Sequence, residues 1–275
     1  MNLKKILKGK VPDEELEKLP RAFEVIGDVA VVEIPDGMQH RKKEIAEGLK
    51  ILHPRLKTIC VKTGDRGGDF RLPSLEVIWG NGTETEHREF GCRFRVDIRE
   101  AYFSPRESTE RQKIAAMVKP GEKILVMFSG VSPSPIIIAK KQPKVEKIVA
   151  VDINPKATEY AIGNVRINRV QEKVIPLTGD VRKVCPELGE KFDRILMPLP
   201  KGAHEFLDVA LACIKKGGVV HFYHWDRDED LFTGALDIVK KECKKAGKRF
   251  RILDKRNVLP YGPRISKICI DFEVL

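Results

Sequence analysis

Acidic and small residues follow several predicted strands of this chain, and their chemistry suits a nucleoside ligand. The apolar run Lys147–Val151 ends on Asp152, whose carboxylate oxygens can accept hydrogen bonds from the two hydroxyls of a ribose. Gly130 follows the preceding apolar run, Ile124–Phe128, and a glycine lets the backbone approach a ligand closely. Asp180 follows a third predicted strand. These residues predict a site for a cofactor that carries a nucleoside.

The turn after the first of these strands favours a cofactor without phosphates. Its sequence, Ser129–Pro133 (SGVSP), lacks the GxGxxG spacing that cradles a pyrophosphate, and the prolines at 133 and 135 suit a pyrophosphate poorly. S-adenosylmethionine contains a nucleoside but no phosphate, so it fits better. The alternative is an ordinary parallel α/β protein in which Asp152 only caps the helix that follows.

The elements that would position these residues alternate between strand and helix from about residue 123 onward. This alternation predicts a doubly wound sheet, in which ligands bind at the carboxyl ends of the strands near the switch point. That rule brings Gly130, Asp152, Asp180 and Pro198–Pro200 to one cleft. Further predicted elements are helices over 108–118, 155–168, 205–214 and 229–246, and strands over 219–223, 249–253 and 267–272.

The residues before this sheet predict a smaller, β-rich region. Hairpin signals occur at Gly27-Asp28 and Phe90-Gly91, and residues 40–52 have the apolar spacing of a helix. A polar, glycine-rich loop, Gly64–Arg71, is of the kind that faces ligands or moves more often than it supports a fold. We expect the domain boundary in the helix that begins near Ser108.

The composition indicates a globular protein with a polyanionic partner. The chain has 275 residues, 42% of them hydrophobic, and 51 Lys and Arg against 40 Asp and Glu, which gives a net charge of +11. Such a basic balance favours a nucleic acid as partner, although charge-rich surfaces also occur in thermophile proteins.

Membrane and metal-binding classes are not favoured. No apolar run is long enough to cross a bilayer, and no apolar signal core follows the basic N-terminus, so we expect a cytoplasmic protein without a membrane partner. The six cysteines are scattered and form no CxxC pair, so we expect reduced thiols and no metal site.

Five short motifs stand in order along the chain with characteristic spacing. They are Arg93–Asp97, Tyr102–Arg106 followed by Glu110-Arg111, Met127–Val131, Val151–Pro155, and Met197–Pro200 followed by His204–Phe206. Together they resemble the signatures of the archaeal and eukaryotic tRNA guanosine-37 N1-methyltransferases in their short form. The similarity covers about residue 20 to the C-terminus, and the wybutosine-synthesis aminocarboxypropyltransferase is a related enzyme.

This resemblance implies a fold, a division into domains and a reaction. The fold would be α/β, a class I (Rossmann-like) methyltransferase sheet preceded by a smaller α+β domain. Residues 1–107 would form the N-terminal domain, which contributes to tRNA and target-base binding, and residues 108–275 the S-adenosylmethionine-binding domain. The reaction would be transfer of a methyl group from S-adenosylmethionine to N1 of guanosine 37, by a protein that we expect to be a monomer.

The resemblance also assigns roles at the reacting base. Glu110 would be the general base that takes the N1 proton, and Arg71 would stabilise charge on O6. Tyr102, Arg106 and Arg111 would contact the target nucleotide and its phosphates. Without the resemblance, Glu110 would be interpreted as a carboxylate that stabilises a helix N-terminus.

A second group of residues would hold the cofactor. Asp152 would bind the ribose, Asp180 the adenine amino group and Gly130 the methionine part. The complete set implied for the cofactor is Phe128, Gly130, Asp152, Ile153, Asp180, Val181 and Arg111.

Three departures from the family pattern keep other functions open. Val126 replaces an aspartate, Ser132 replaces a loop glycine, and Pro198 replaces an asparagine that lies beside the reacting centre. Pro198 keeps a carbonyl but has no N–H donor, and it is still counted among the catalytic residues. The alternatives are transfer of the 3-amino-3-carboxypropyl group to a modified guanosine 37, and a tRNA-binding homologue without catalytic activity.

Overall fold

A computed structural model describes residues 2–64, 70, 72–199, 201–262 and 264–275, and it divides into two compact units. The N-terminal unit is Met1–Pro105 and the C-terminal unit is Arg106–Leu275. The division therefore falls two residues before the 107/108 boundary expected from the sequence. Among the described residues, none of the helices combines the length and apolar character needed to span a bilayer.

The described part of the N-terminal unit combines a four-stranded sheet, a separate hairpin and three α-helices, with a 3-10 helix at Asp36–Arg41. In the sheet, of order β1-β2-β3-β4, the β2–β3 pair is parallel and the other two pairs are antiparallel. The elements are α1 (Leu3–Leu7), α2 (Asp13–Leu16), β1 (Phe23–Ile26), β2 (Val29–Val32), α3 (Lys42–Leu52), β3 (Thr58–Lys62), β4 (Leu75–Trp79), β5 (Glu84–Glu89) and β6 (Cys92–Asp97).

Two hairpin glycines in this unit have positive φ but different surroundings, which gives a matched test of packing. A Cβ on Gly27 (φ +58°) would lie 2.1 Å from Thr85 Oγ1, whereas one on Gly91 (φ +75°) would meet no atom within 4 Å. We expect Gly27→Ala to lower the free energy of unfolding by roughly 2–4 kcal/mol, because it adds overpacking to the left-handed backbone cost. Gly91→Ala should cost only about 1 kcal/mol. Equal losses in urea unfolding would contradict this assignment.

The C-terminal unit is built on a seven-stranded sheet of order β12-β13-β11-β10-β7-β8-β9. Strands β7 to β11 pair in parallel, and β13 runs antiparallel to both of its neighbours. The strands are β7 (Lys123–Met127), β8 (Lys147–Asp152), β9 (Val174–Thr178), β10 (Phe192–Met197), β11 (Ile214–Arg227), β12 (Phe250–Gly262) and β13 (Ile265–Val274).

The helices of this unit connect and cover the strands. They are α4 (Ser108–Met117), α5 (Pro133–Lys141), α6 (Pro155–Ile167), α7 (Val181–Glu187), α8 (Leu207–Cys213) and α9 (Thr233–Lys245). Because the chain leaves β7 toward β8 on one side and returns at β10 on the other, the switch point lies between β7 and β10. The expected class of sheet is confirmed.

Several elements differ in extent from the predictions. Strand β11 covers 214–227 instead of 219–223, whereas helix α8 ends at Cys213, close to the predicted end at residue 214. Helix α7 was not predicted, because its seven residues include Pro186 and have no long apolar period. Helix α9 begins at Thr233 instead of residue 229.

The two faces of the sheet differ in polarity. One face carries the main apolar core, to which β10 and β11 contribute Met197 and Phe222. On the opposite face the same strands carry Arg194 and His221, and both are buried. Burial of charged groups is costly unless they are paired, so this polar face requires partners, which are described below.

Candidate active site

The ends of four neighbouring parallel strands bring most of the cofactor residues predicted from the sequence to one edge of the sheet. Phe128 follows β7, Asp152 ends β8, Asp180 lies two residues after β9, and Pro198 follows β10. The strands are in register, since Met127 pairs with Val151 and Asp152 pairs with Thr178. Gly130, Ile153 and Val181 lie in the loops and helix start at the same edge.

The turn after β7 is tied directly to the Asp152 carboxylate. Gly130 (φ +54°) donates its N–H to Oδ2 at 2.6 Å, and Asn154 donates its N–H to Oδ1 at 2.9 Å. Burial raises the pKa of Asp152 above its ordinary value, while these two N–H groups favour the charged form. Each oxygen still has capacity to accept a further hydrogen bond, as a ribose diol would require.

Asp180 is the N-cap of helix α7, which was not predicted from the sequence. Its Oδ1 accepts a hydrogen bond from the Arg182 backbone N–H at 2.9 Å. A helix cap therefore occupies one carboxylate oxygen. Beside it, the Arg182 guanidinium lies 3.9 Å from the centre of the Phe206 ring, which contacts Phe128 edge-on at 5.0 Å. Ile153 is 46% exposed, and such an apolar surface beside a ribose-binding acid suits an adenine ring.

Two serines in the turn after β7 test whether the site fits the amino-acid end of S-adenosylmethionine. The Oγ atoms of Ser129 and Ser132 are buried, and neither has a hydrogen-bond partner among the described residues. Ser132 is the N-cap of α5, in the left-handed conformation (φ +63°), and its side chain makes no capping bond. Buried polar groups are nearly always paired, so these hydroxyls fit a polar ligand at this turn.

Helix α4 carries Glu110, whose carboxylate meets residues of the strands beyond the switch point. Oε1 accepts from the Tyr223 hydroxyl at 2.6 Å and from Arg256 Nη2 at 2.6 Å. Arg256 Nε lies 3.1 Å from both carboxylate oxygens. Tyr223 directly follows Phe222, which pairs with Met197 at the end of β10, so Glu110 lies near the strand end that carries Pro198.

A chain of buried polar groups extends from Glu110 across the sheet. Arg256 Nη1 donates to Asp271 Oδ2 at 2.6 Å, and Asp271 Oδ1 contacts His221 Nδ1 at 2.7 Å. His221 Nε2 lies 2.7 Å from Arg194 Nη1, and Arg194 also pairs with Glu122 at 2.7 Å. These groups supply the partners that the polar face of the sheet requires.

The protonation states of His221 and Asp271 in this row of polar groups follow from the hydrogen bonds that the two arginines donate. An arginine can only donate, so His221 Nε2 accepts and His221 Nδ1–H donates to Asp271. Burial lowers the pKa of His221, and the nearby Arg194 lowers it further, so the ring is neutral. Burial opposes ionisation of Asp271, but the bonds from His221 and Arg256 outweigh it and hold the pKa of Asp271 well below its usual range.

The sulfur, nitrogen and oxygen atoms of His221, Cys269 and Asp271 lie within 4.8 Å of one another, a spacing that can hold a metal ion. Here the surrounding charges argue for another use. Arg194 donates to His221, and Arg256 donates to Asp271 and to the Cys269 sulfur at 3.2 Å. Two guanidinium groups beside the cluster would repel a cation, so we assign His221, Cys269 and Asp271 to the row of buried polar groups that begins at Glu110.

The remaining predicted residues have varied surroundings. Arg106 is exposed and donates to the Pro260 carbonyl at 2.7 Å, whereas Arg111 is only 5% exposed within α4. Tyr102 lies in the N-terminal unit and is 36% exposed. Arg71 lies outside the described residues.

Sequence reasoning missed Tyr223, Arg256, His221 and Asp271. A signal was present, because His221 and Asp271 interrupt the apolar runs 219–223 and 268–272, which lie within predicted strands. A charged residue in a buried strand requires a partner, and that requirement points to neighbouring strands. The identity of each partner could not be read from one sequence, since Glu110 and Arg256 are separated by 146 positions.

The strand order, the antiparallel β13 and the acid at the end of β8 agree with the class I methyltransferase sheet expected from the sequence motifs. A family model described as "TRM5/TYW2 methyltransferase domain" matches residues 85–253, and one described as "TYW2 N-terminal domain" matches residues 3–83. The chain belongs to the TRM5/TYW2 methyltransferase family, which confirms the resemblance seen in its motifs.

Three comparisons illustrate this relationship. The chain is 40% identical to the tRNA (guanine(37)-N(1))-methyltransferase Trm5b of Pyrococcus abyssi, over 96% of this chain and 78% of the relative. It is 28% identical to the tRNA(Phe) (4-demethylwyosine(37)-C(7)) aminocarboxypropyltransferase of Pyrococcus horikoshii, over 99% and 96% respectively. A solved complex of aTrm5 with tRNALeu superposes with a TM-score of 0.88 at 35% identity, over 100% of this chain and 78% of that one.

Proposed function

We propose that this protein is a tRNA methyltransferase that transfers the methyl group of S-adenosylmethionine to N1 of guanosine 37. The observation that carries the proposal is the place of Glu110: a carboxylate held near the end of β10, at the edge of the sheet where the cofactor residues lie. The 40% identity to a protein named for this reaction supports the same assignment. The substrate is tRNA, in line with the tRNA complex of a structural relative.

Within this proposal, Glu110 takes the proton from N1 of the guanine as the ring nitrogen forms its new bond to carbon. S-adenosylmethionine, when bound, supplies an activated methyl group on its sulfonium sulfur. Asp152 accepts from the ribose, Asp180 and the Val181 N–H contact the adenine, and Gly130 lies under the methionine part. The buried, unpartnered hydroxyls of Ser129 and Ser132 fit this location.

Other roles in the proposal rest on the family resemblance alone. We assign Arg106, Arg111 and Tyr102 to the tRNA and Arg71 to the guanine O6, and Pro198 borders the reacting centre in place of asparagine. Phe128 and Ile153 contribute apolar surface for the cofactor. We also propose that the protein is a monomer without a bound metal ion and that it lies in the cytoplasm. The six cysteines are buried and free, which supports a reducing compartment.

A second candidate is transfer of the 3-amino-3-carboxypropyl group to a modified guanosine at the same position. Two observations favour it: the N-terminal residues match a TYW2 domain model, and the chain covers 96% of the aminocarboxypropyltransferase of Pyrococcus horikoshii. The replacement of asparagine by Pro198 is compatible with it. The lower identity, 28% against 40%, ranks it second.

Cofactor labelled either on the methyl group or on the carboxyl carbon separates these functions. We expect only the methyl label to enter an unmodified tRNA transcript with guanosine at position 37, and mass spectrometry to identify the product as N1-methylguanosine. A transcript with adenosine at position 37 is the control. Entry of the carboxyl label into tRNA that carries 4-demethylwyosine would establish the second function, and tRNA binding without transfer of either label would leave a binding protein.

A further inference from the structure

The two oxygens of the Glu110 carboxylate have unequal surroundings. Oε1 receives two short hydrogen bonds, from the Tyr223 hydroxyl and from Arg256 Nη2, each at 2.6 Å. Among the residues that the structure describes, Oε2 has only the 3.1 Å contact with Arg256 Nε, and that N–H is shared equally with Oε1. One oxygen is therefore saturated, while the other retains capacity to accept.

We propose that Tyr223 and Arg256 are positioning residues for Glu110: they anchor Oε1 and thereby present Oε2 to the N1–H of the guanine. This inference rests on the function proposed above. The N1–H bond breaks with its proton passing to Oε2, while the nitrogen electron pair forms the new bond to the methyl carbon. The carbon–sulfur bond breaks as the nitrogen–carbon bond forms, and its electrons remain on sulfur, so the charges of carboxylate and sulfonium are both neutralised.

The surroundings of Tyr223 keep its hydroxyl protonated, so that it donates a hydrogen bond to Glu110. Burial and the nearby Glu110 carboxylate raise the pKa of Tyr223 well above its ordinary value, so the hydroxyl keeps its proton. Its ring is held by Lys267, whose Nζ lies 4.9 Å from the ring centre and pairs with Glu107 at 2.8 Å. The side chain of Lys267 is only 3% exposed, so this contact is well shielded from water.

Arg256 is fixed on both sides of its planar group. Nη1 pairs with Asp271 at 2.6 Å and with Asp254 at 3.2 Å, which leaves Nε and Nη2 to face Glu110. Asp271 is in turn held by the neutral His221. The planar guanidinium cannot rotate without breaking these bonds, so it fixes the orientation of the Glu110 carboxylate.

Arg256 divides its charge among three carboxylates. Glu110 and Asp271 each pair with it at 2.6 Å and Asp254 at 3.2 Å, and Lys113 pairs with Asp254 at 3.3 Å. The arginine therefore orients Glu110 without being committed to that one carboxylate.

The test uses the full chain with an unmodified tRNA transcript and methyl-labelled S-adenosylmethionine. Tyr223→Phe keeps the ring and removes one donor, and Arg256→Lys keeps the charge and removes the planar fork. We expect kcat to fall on the order of tenfold in the first and more in the second, with KM for tRNA and Kd for the cofactor unchanged. Arg251→Lys, on the same strand in an exposed pair with Glu273, is the matched control and should retain wild-type kcat.

A double-mutant cycle shows whether Tyr223 acts through Glu110. In the Glu110→Gln background, Tyr223→Phe should cause little further loss, because the base that it positions is already absent. An additive loss, or an unchanged kcat accompanied by a lower melting temperature, would overturn the inference and leave a structural role. Failure of the wild-type protein to methylate the transcript would instead overturn the proposed function, so the two failures are distinguishable.

Discussion

Glu110→Gln lowers kcat for methyl transfer by about 10²- to 10⁴-fold, the range expected when a general base is removed. The amide keeps an oxygen that can accept from Tyr223 and Arg256, so the side chain can hold its place. What it loses is the second oxygen and the ability to take a proton. The measurement is single-turnover methylation of an unmodified tRNA transcript, with cofactor affinity determined in parallel by calorimetry.

The control for this variant is Glu159→Gln, an exposed carboxylate on α6 that pairs with Lys156. It should retain wild-type kcat. A Glu110→Gln protein that methylates at the wild-type rate would remove Glu110 from the mechanism and would leave it as a partner of Arg256. A protein that no longer binds the cofactor would point to a structural role at the edge of the sheet.

The second large effect is expected at the cofactor. Asp152→Ala should weaken S-adenosylmethionine binding by about 10²-fold or more, because it removes two hydrogen bonds from ribose hydroxyls to a charged group. It also removes the acceptors for the Gly130 and Asn154 N–H groups, which order the surrounding turns. Calorimetric titration with S-adenosylmethionine and with adenosine measures the effect, and both ligands should lose affinity to a similar degree because both contain the ribose.

Asp237→Ala, on the exposed side of α9, is a suitable control and should bind both ligands normally. An unaltered dissociation constant for Asp152→Ala would refute the ribose assignment. If affinity for S-adenosylmethionine fell while that for adenosine did not, Asp152 would act only through the turn that contains Gly130.

The cofactor side of the site could be predicted because its information is local. Asp152 ends a strand, Gly130 and Asp180 lie within three residues of the ends of two others, and the rule for doubly wound sheets brings such strand ends together. The same local reasoning failed for Asp180 in one respect. Its cap on α7 was not foreseen, because a seven-residue helix with an internal proline has no detectable period.

The catalytic side depends on contacts between distant positions. Tyr223 and Arg256 lie on different strands and meet Glu110 only after the sheet has formed, and Asp271, on a third strand, meets Arg256. The early start of β11 was hidden for a related reason: Ile214 pairs with Phe192 directly after α8, and an irregular stretch that contains Gly217-Gly218 separates this pair from the ladder that begins at Val219. The roles of Arg71 and Tyr102 remain predictions from the family resemblance.

The order of strands at one side of the sheet has a consequence for biosynthesis. Strand β13 is inserted between β11 and β12, although it follows both along the chain, and it brings Asp271 to its partners. A ribosome must therefore deliver Asp271 before the guanidinium of Arg256 can pair with this carboxylate. Because β13 also adds Ile268, Ile270 and Phe272 to the apolar core, we expect a nascent polypeptide to gain both its complete core and its oriented base only once this strand has been translated.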